Sequence, residues 1–303
     1  MAGTNRGAHA PGEKFGLSAA LTTPFARDMS IDTGRMEAHA KSLLEEGCAS
    51  VTLFGTTGEG ASLCERERIA ILDAFAAAHV DPTRLVAGIS ATAMEQATEQ
   101  ATAALEAGVH TLLVPPPFYF KDLSEEGLFA WYAELFERIG RYGPRILLYH
   151  IPQVTAVALP LPVVQRLKQG YGEIVLGVKD SGGHWPTTES FLGESDLTIL
   201  VGDERHLARA VRLGGAGAIS GMANVFPREL AALVETGQDN DRLSRLVDSL
   251  VKLPIIPAIK TLVGLKRRDE NWNRVRPPLA SVAAADCAML DRLLRDFEQT
   301  RAV

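Results

Sequence analysis

Residues 174–183 read IVLGVKDSGG. The run Ile174-Val175-Leu176-Gly177-Val178 lacks the apolar–polar alternation of a half-exposed strand, and it delivers a lysine, Lys179, just before a turn of Ser and Gly. A strand that is apolar on both faces is buried on both faces, which is the condition of a parallel sheet covered by helices. The pattern recurs along the chain at Leu17–Thr22, Ser50–Phe54, Leu85–Ile89, Thr111–Val114, Ile146–His150, Thr198–Gly202 and Ala216–Ser220, giving eight strands with Ile174–Lys179.

Amphipathic stretches separate them. Arg35–Glu46 runs to Gly47 and Glu95–Ala107 runs to Gly108, each glycine a natural helix stop. Glu65–Ala78, a helix opened by Ser124 as N-cap, Leu161–Gln169, Glu189–Leu192 and Glu204–Leu213 supply the rest. Eight strand–helix repeats of roughly 20 to 35 residues match the α/β class and a (β/α)8 TIM barrel. A doubly wound open sheet is the competing reading. It usually brings a glycine-rich dinucleotide turn after its first strand, where this chain has Thr22-Thr23-Pro24-Phe25. After about residue 236 the rhythm changes: Asp239–Leu253, Pro257–Leu265 and Ala283–Gln299 read as helices with no strand between them. The expected organisation is a tail at 1–14, a barrel at 15–235 and a C-terminal helical region at 236–303.

Composition bounds the functions. The 303 residues are 46% hydrophobic and 22% charged, with a net charge of -6 and no basic block, which argues against nucleic acid and anionic membranes as partners. No apolar run approaches a membrane span, and the polar start MAGTNRGAHAPGEK lacks a signal peptide's apolar stretch. Cys48, Cys64 and Cys287 form no CxxC or Cys/His cluster, so they are expected to be small buried hydrophobes in a reducing, cytoplasmic setting, and no metal site is expected.

In a parallel barrel, chemistry sits at the C-terminal ends of the strands. The second strand closes with Gly55-Thr56-Thr57-Gly58-Glu59-Gly60, a turn that exposes backbone N–H groups and suits a small anion, or equally a structural strand-to-helix turn. The fourth closes with three prolines and Phe118-Tyr119-Phe120-Lys121, where Tyr119 fits a proton relay, a subunit contact or plain packing. The fifth delivers Tyr149, with His150 pointing to the opposite side of the strand. The sixth delivers Lys179. A charged amine closing an apolar strand is costly to bury, and a neutral amine is a nucleophile toward carbonyls; the plainer alternatives are an ion pair with Asp180 or a snorkelling surface lysine. Asp180 reads as the cap of the following turn. At the seventh, Asp203, Glu204 and Arg205 either read the distal part of a substrate or cap and solvate the next helix. The eighth carries Ile219 among small residues that allow close backbone approach.

The set Gly55-Thr56-Thr57-Gly58-Glu59-Gly60, Tyr149-His150-Ile151-Pro152 and Gly177-Val178-Lys179-Asp180-Ser181-Gly182-Gly183 resembles the dihydrodipicolinate synthase / N-acetylneuraminate lyase family, class I pyruvate-dependent aldolases on a (β/α)8 barrel. The likeness spans nearly the whole chain. It implies a Schiff base between Lys179 and the C2 carbonyl of pyruvate or another 2-oxo acid, with the imine as electron sink. It implies Tyr149 as proton shuttle, Thr57 as its relay, and Tyr119 completing the relay from a neighbouring subunit. Backbone N–H groups of Thr56 and Thr57 would hold the carboxylate, and the Ile219 carbonyl would lie near the imine. No cofactor is implied, and a homotetramer built as a dimer of dimers is. Two departures concern the substrate. Where the lysine-pathway synthase carries an arginine for its aldehyde's carboxylate, this chain has Val154, which cannot make a bidentate contact. Where the sialic acid lyase branch has an acidic pair, Glu204 matches the first acid and Arg205 replaces the second, suggesting a distal carboxylate or fewer hydroxyls on the substrate. The expected activity is aldol cleavage or condensation, or dehydration, of a hydroxylated 2-oxo acid or 2-oxo-3-deoxy sugar acid. The alternatives are an authentic 4-hydroxy-tetrahydrodipicolinate synthase and a non-catalytic binder of small acids.

Overall fold

The computed structural model describes residues 14–299; the tail expected at 1–14 lies outside it except for Lys14. Eight parallel strands close into one barrel in sequence order: β1 (Gly16–Ala20), β2 (Ser50–Leu53), β3 (Leu85–Gly88), β4 (Thr111–Val114), β5 (Arg145–His150), β6 (Val175–Asp180), β7 (Thr198–Val201) and β8 (Gly217–Ser220). The open doubly wound alternative is excluded by the pairing of β1 with β8, in which Ser18 stands beside Ile219.

The helices alternate with the strands: α1 (Thr33–Glu45), α2 (Glu65–Ala77), α3 (Met94–Glu106), α4 (Glu125–Ile139), α5 (Pro152–Thr155), α6 (Leu161–Gly170), α7 (Trp185–Leu192), α8 (Glu204–Arg212) and α9 (Pro227–Thr236). Then come α10 (Asp241–Leu250), α11 (Ile255–Arg267) and α12 (Ala284–Gln299), with no strand between them. Ser124 caps α4 by accepting from the Gly127 N–H at 3.1 Å, and Gly47 and Gly108 follow α1 and α3 with φ of 108° and 84°. Helix α7 begins four residues before the expected Glu189. Pro186 reads as a breaker in the sequence, but it occupies the first turn, where its missing N–H has no helical partner to lose. Helix α9, which starts on Pro227, was hidden from the sequence reading in the same way.

The absence of alternation in the strands is explained by two cores. One lies inside the barrel and includes Val86, Leu113, Leu147, Leu200 and Ile219; the other lies between sheet and helices and takes the neighbouring residues Leu112, Val114, Ile146, Leu148, Ile199 and Val201. Each such side chain contributes about 1.5–3 kcal/mol by leaving water, so both faces of the sheet stabilise the fold. Gly177 has a backbone reason: a Cβ there would stand 1.8 Å from the Thr198 carbonyl oxygen of β7. The cysteine expectation holds for Cys48 alone, which is buried and whose thiol burial pushes up to about 12; Cys64 is exposed and Cys287 half-buried, because each lies at the solvent side of a helix end or helix face.

Candidate active site

The register of β5 and β6 sets the site. Tyr149 pairs with Lys179 and His150 with Asp180, so the first pair faces the barrel interior and the second faces the helices. On the outer side His150 accepts the Leu159 N–H at its Nδ1 (3.1 Å) and meets the Phe191 ring edge-on. Burial lowers the His150 imidazole below its ordinary range, and the Asp180 carboxylate opposes that shift. Asp180 accepts from the Gly182 N–H (2.8 Å) and the Thr188 hydroxyl (2.6 Å), so it caps the turn after Lys179 and makes no ion pair with it.

On the inner side, the Lys179 Nζ lies 4.2 Å from the centre of the Tyr149 ring, and both residues are buried. Among the described residues no carboxylate forms an ion pair with Lys179. The Tyr149 hydroxyl lies 3.4 Å from Thr56 Oγ1. The hydroxyl on the phenol is therefore that of Thr56, where the resemblance implied Thr57. Thr57 still lines the cavity, but its Oγ1 lies toward β8, 3.1 Å from where a Cβ on Gly221 would stand. The N–H groups of Thr56 and Thr57 take no backbone acceptor among the described residues, so both are available to an anion.

Lys179, Tyr149, Thr56, Thr57, Val154, Ile219, Glu204 and Arg205 all line one cavity of about 430 Å³ at the C-terminal ends of the strands. Thr56, Tyr149, Ile151 and Val154 also line a second, adjoining cavity of about 300 Å³. Tyr119 is not brought to the first cavity. It is 75% exposed and stacked edge-on against Phe120, because the proline loop carries it outward and Lys121 ties that loop to the Thr155 carbonyl at 2.9 Å.

At the seventh strand, Asp203 caps α8 by accepting from the Arg205 N–H at 3.1 Å. Arg205 grips both Asp203 oxygens (2.9 and 2.7 Å) and reaches Asp248 (3.1 Å), which raises its own basicity. Burial would raise the Asp203 carboxyl, but the Arg205 contacts outweigh it and hold the group below the usual range. Glu204 is neither solvated nor open to the cavity with both oxygens: Ser220 Oγ donates to it at 2.6 Å, and burial pushes its carboxyl up.

The sequence reading missed what holds the Thr56–Thr57 turn. Glu59 sits in the left-handed region (φ 53°), and a Cβ on Gly60 would clash with the Phe54 carbonyl oxygen at 1.8 Å, so only glycine fits there. The Glu59 carboxylate bonds Lys260 Nζ of α11 at 2.5 Å and accepts the Arg276 N–H at 2.9 Å, while Lys260 also donates to the Thr23 carbonyl at 2.8 Å. Both side chains of this ion pair are fully buried. A lone lysine within the apolar run IIPAIKTLVGL was the available signal, since such a charge requires a buried acid. A second brace is Asn224, which donates to the Ala20 (2.7 Å) and Gly221 (2.8 Å) carbonyls and so ties the ends of β1 and β8. The Asn224 Oδ1 accepts from His39 Nε2 at 3.2 Å.

Comparison with known proteins bears on the family of the chain. The family model described as the dihydrodipicolinate synthetase family matches residues 13–296. The chain is 33% identical over 257 residues to an uncharacterized DapA-like lyase of Chloroflexus aurantiacus, covering 82% of this chain and 85% of that one. It is 29% identical over 296 residues to the 4-hydroxy-tetrahydrodipicolinate synthase of Corynebacterium urealyticum, covering 94% and 95%. The crystal structure of a dihydrodipicolinate synthase from Agrobacterium tumefaciens superposes with a TM-score of 0.92 at 48% identity, covering 94% of this chain and 99% of that one. A closed eight-stranded barrel matched by the family model over nearly its full length, the chain belongs to the dihydrodipicolinate synthetase family and is an enzyme of lyase type.

Proposed function

We propose that the chain is a Schiff-base lyase that joins or cleaves pyruvate and an aldehyde, with a 4-hydroxy-2-oxo acid as the combined species. The observation that supports this is the Lys179 amine, buried without an acid partner among the described residues and facing a Tyr149 whose hydroxyl meets Thr56. The Lys179 nitrogen adds to C2 of the 2-oxo acid, water leaves from the carbinolamine, and the resulting iminium withdraws electrons from C3. In cleavage the C3–C4 bond breaks, its electron pair enters the enamine, and the C4 hydroxyl loses its proton as the aldehyde forms. Tyr149 is the group placed to carry protons at these steps, and Thr56 orients its hydroxyl. The N–H groups of Thr56 and Thr57 receive the carboxylate.

The chemistry is tested by reducing the protein with borohydride in the presence of pyruvate. Mass spectrometry should find the mass of an added 1-carboxyethyl group on the peptide carrying Lys179, and an unmodified peptide rejects the proposal. The second reading, lysine-pathway synthase, is favoured by the names of the relatives and opposed by Val154, which stands at the cavity rim without a charge. Turnover of pyruvate with aspartate semialdehyde at the rate of such synthases would establish it. We read the exposed Tyr119 as a group offered to a neighbouring subunit in a homotetramer, to be checked by sedimentation. No helix among the described residues is long and apolar enough to cross a membrane.

A further inference from the structure

We infer that the aldehyde partner carries an apolar, uncharged chain, and that the segment from α10 to α11 selects it. The inference rests on the Schiff-base reading above and adds the chemical class of the second substrate. Between residues 247 and 259, the side chains lining the cavity are Val247, Leu250, Val251, Leu253, Ile255 and Ile259. The polar residues interspersed with them, Asp248, Ser249 and Lys252, do not line it. The distal wall is thus sorted by polarity, whereas the wall at β2, β5 and β6 carries Thr56, Thr57, Tyr149 and Lys179.

Exposure points the same way. Val154, Val251 and Ile255 are 59%, 48% and 40% exposed, and they are three of the seven large hydrophobic side chains left exposed among the described residues. All three stand at this one cavity. Covering them with an apolar chain removes surface from water at each methylene.

The charged groups nearby are already engaged. Arg205 is bound by Asp203 and Asp248, one cation against two carboxylates, so it has no surplus charge for a distal carboxylate and the cluster repels one. One oxygen of Glu204 is taken by the Ser220 hydroxyl. A polyhydroxylated chain needs several placed donors and acceptors; beyond the groups named, the polar side chains lining this side are Ser181 and Gln153, whose amide already donates to the Ser181 carbonyl at 2.6 Å. The distal carboxylate suggested by Arg205 in the sequence is therefore disfavoured by the geometry. In the condensing direction C3 of the enamine bonds to the aldehyde carbon, the aldehyde oxygen takes a proton, and water releases the 4-hydroxy-2-oxo acid and the free Lys179 amine.

The test uses the full chain with pyruvate and a series of aldehydes: butanal, pentanal and hexanal against glyceraldehyde and succinic semialdehyde. The kcat/KM should rise about fourfold per methylene through the alkanals, and hexanal should exceed glyceraldehyde and succinic semialdehyde at least tenfold. In the Val251→Asp and Ile255→Asp variants the ratio of hexanal to glyceraldehyde kcat/KM should fall tenfold or more, a ratio that a general loss of folded enzyme leaves unchanged. A borohydride-trapped pyruvate adduct combined with equal or better use of glyceraldehyde or succinic semialdehyde, or with no alkanal used, overturns this inference alone. Absence of the adduct overturns the Schiff-base reading and this inference with it.

Discussion

Two lysines are buried among the described residues, and they have opposite surroundings. Lys260, in the middle of α11, donates hydrogen bonds to the Glu59 carboxylate at 2.5 Å and the Thr23 carbonyl at 2.8 Å. Lys179, at the end of β6, has no ion pair among the described residues and faces an aromatic ring across an open cavity. Burial pulls the Lys260 ammonium below its ordinary range, and Glu59 works against that pull. Burial alone therefore does not make a lysine a nucleophile; what matters is whether an acid holds the proton and whether a carbonyl can reach the nitrogen. The two are joined through one turn, since Glu59 braces Lys260 and Thr56, three residues earlier, meets Tyr149.

The contrast is broken most directly by removing each amine. Lys179→Ala should lower turnover roughly 10³-fold or more and abolish the trapped adduct, with little change in the urea midpoint; retained activity would remove the distinction. Lys260→Met should do the reverse at first order, destabilising the fold by about 3–5 kcal/mol because Glu59 is left buried and unpaired. Urea unfolding measures this, and Lys260→Met with Glu59→Leu should recover much of the loss, since an apolar pair needs no counter-charge.

The shared turn offers a finer comparison. Thr56→Val should reduce kcat by roughly 10²-fold, while Thr57→Val should reduce it less, as only Thr56 meets the phenol. Steady-state kinetics of the two variants decide which threonine serves Tyr149, and an equal or larger loss at Thr57 would restore the relay first expected.

Near neutral pH the smallest expected effect concerns a third buried base. Burial first, then the Arg267 charge, push the His39 imidazole down to about 3, and its Nε2 must carry the proton because Asn224 Oδ1 can only accept. The folded state binds fewer protons than the unfolded one between about 6.5 and 3. Stability due to this group is thus present above pH 6.5 and is lost as the pH falls, by up to roughly 1.4 kcal/mol per pH unit. His39→Gln should flatten the pH dependence of the urea midpoint in that window, and an unchanged slope would assign the acid sensitivity to other groups.

The strand ends were legible because a barrel places its reactive groups where a local apolar run stops, and that can be read one repeat at a time. Lys179 and Tyr149 are found this way, and the strand period of two correctly turns His150 outward. Thr56 and Thr57 are adjacent, and which one meets the phenol depends on the turn's backbone. Arg205 appears free in the sequence because Asp248 lies 43 positions away. Tyr119 appears close to the chemistry, yet the loop holds it outside the cavity of its own chain.

By itself the sequence determined the closed eight-repeat architecture and the amine at the sixth strand, since both follow from periodicity and from residues near one another along the chain. Tertiary structure alone decided which charges are cancelled and which are left open. Glu59 and Lys260 are 201 positions apart, and the apolar side chains between 247 and 259 come to line one cavity with Lys179 only after the barrel closes. The physical reason is that charge pairing and cavity lining depend on distance in space, and local pattern carries no record of it.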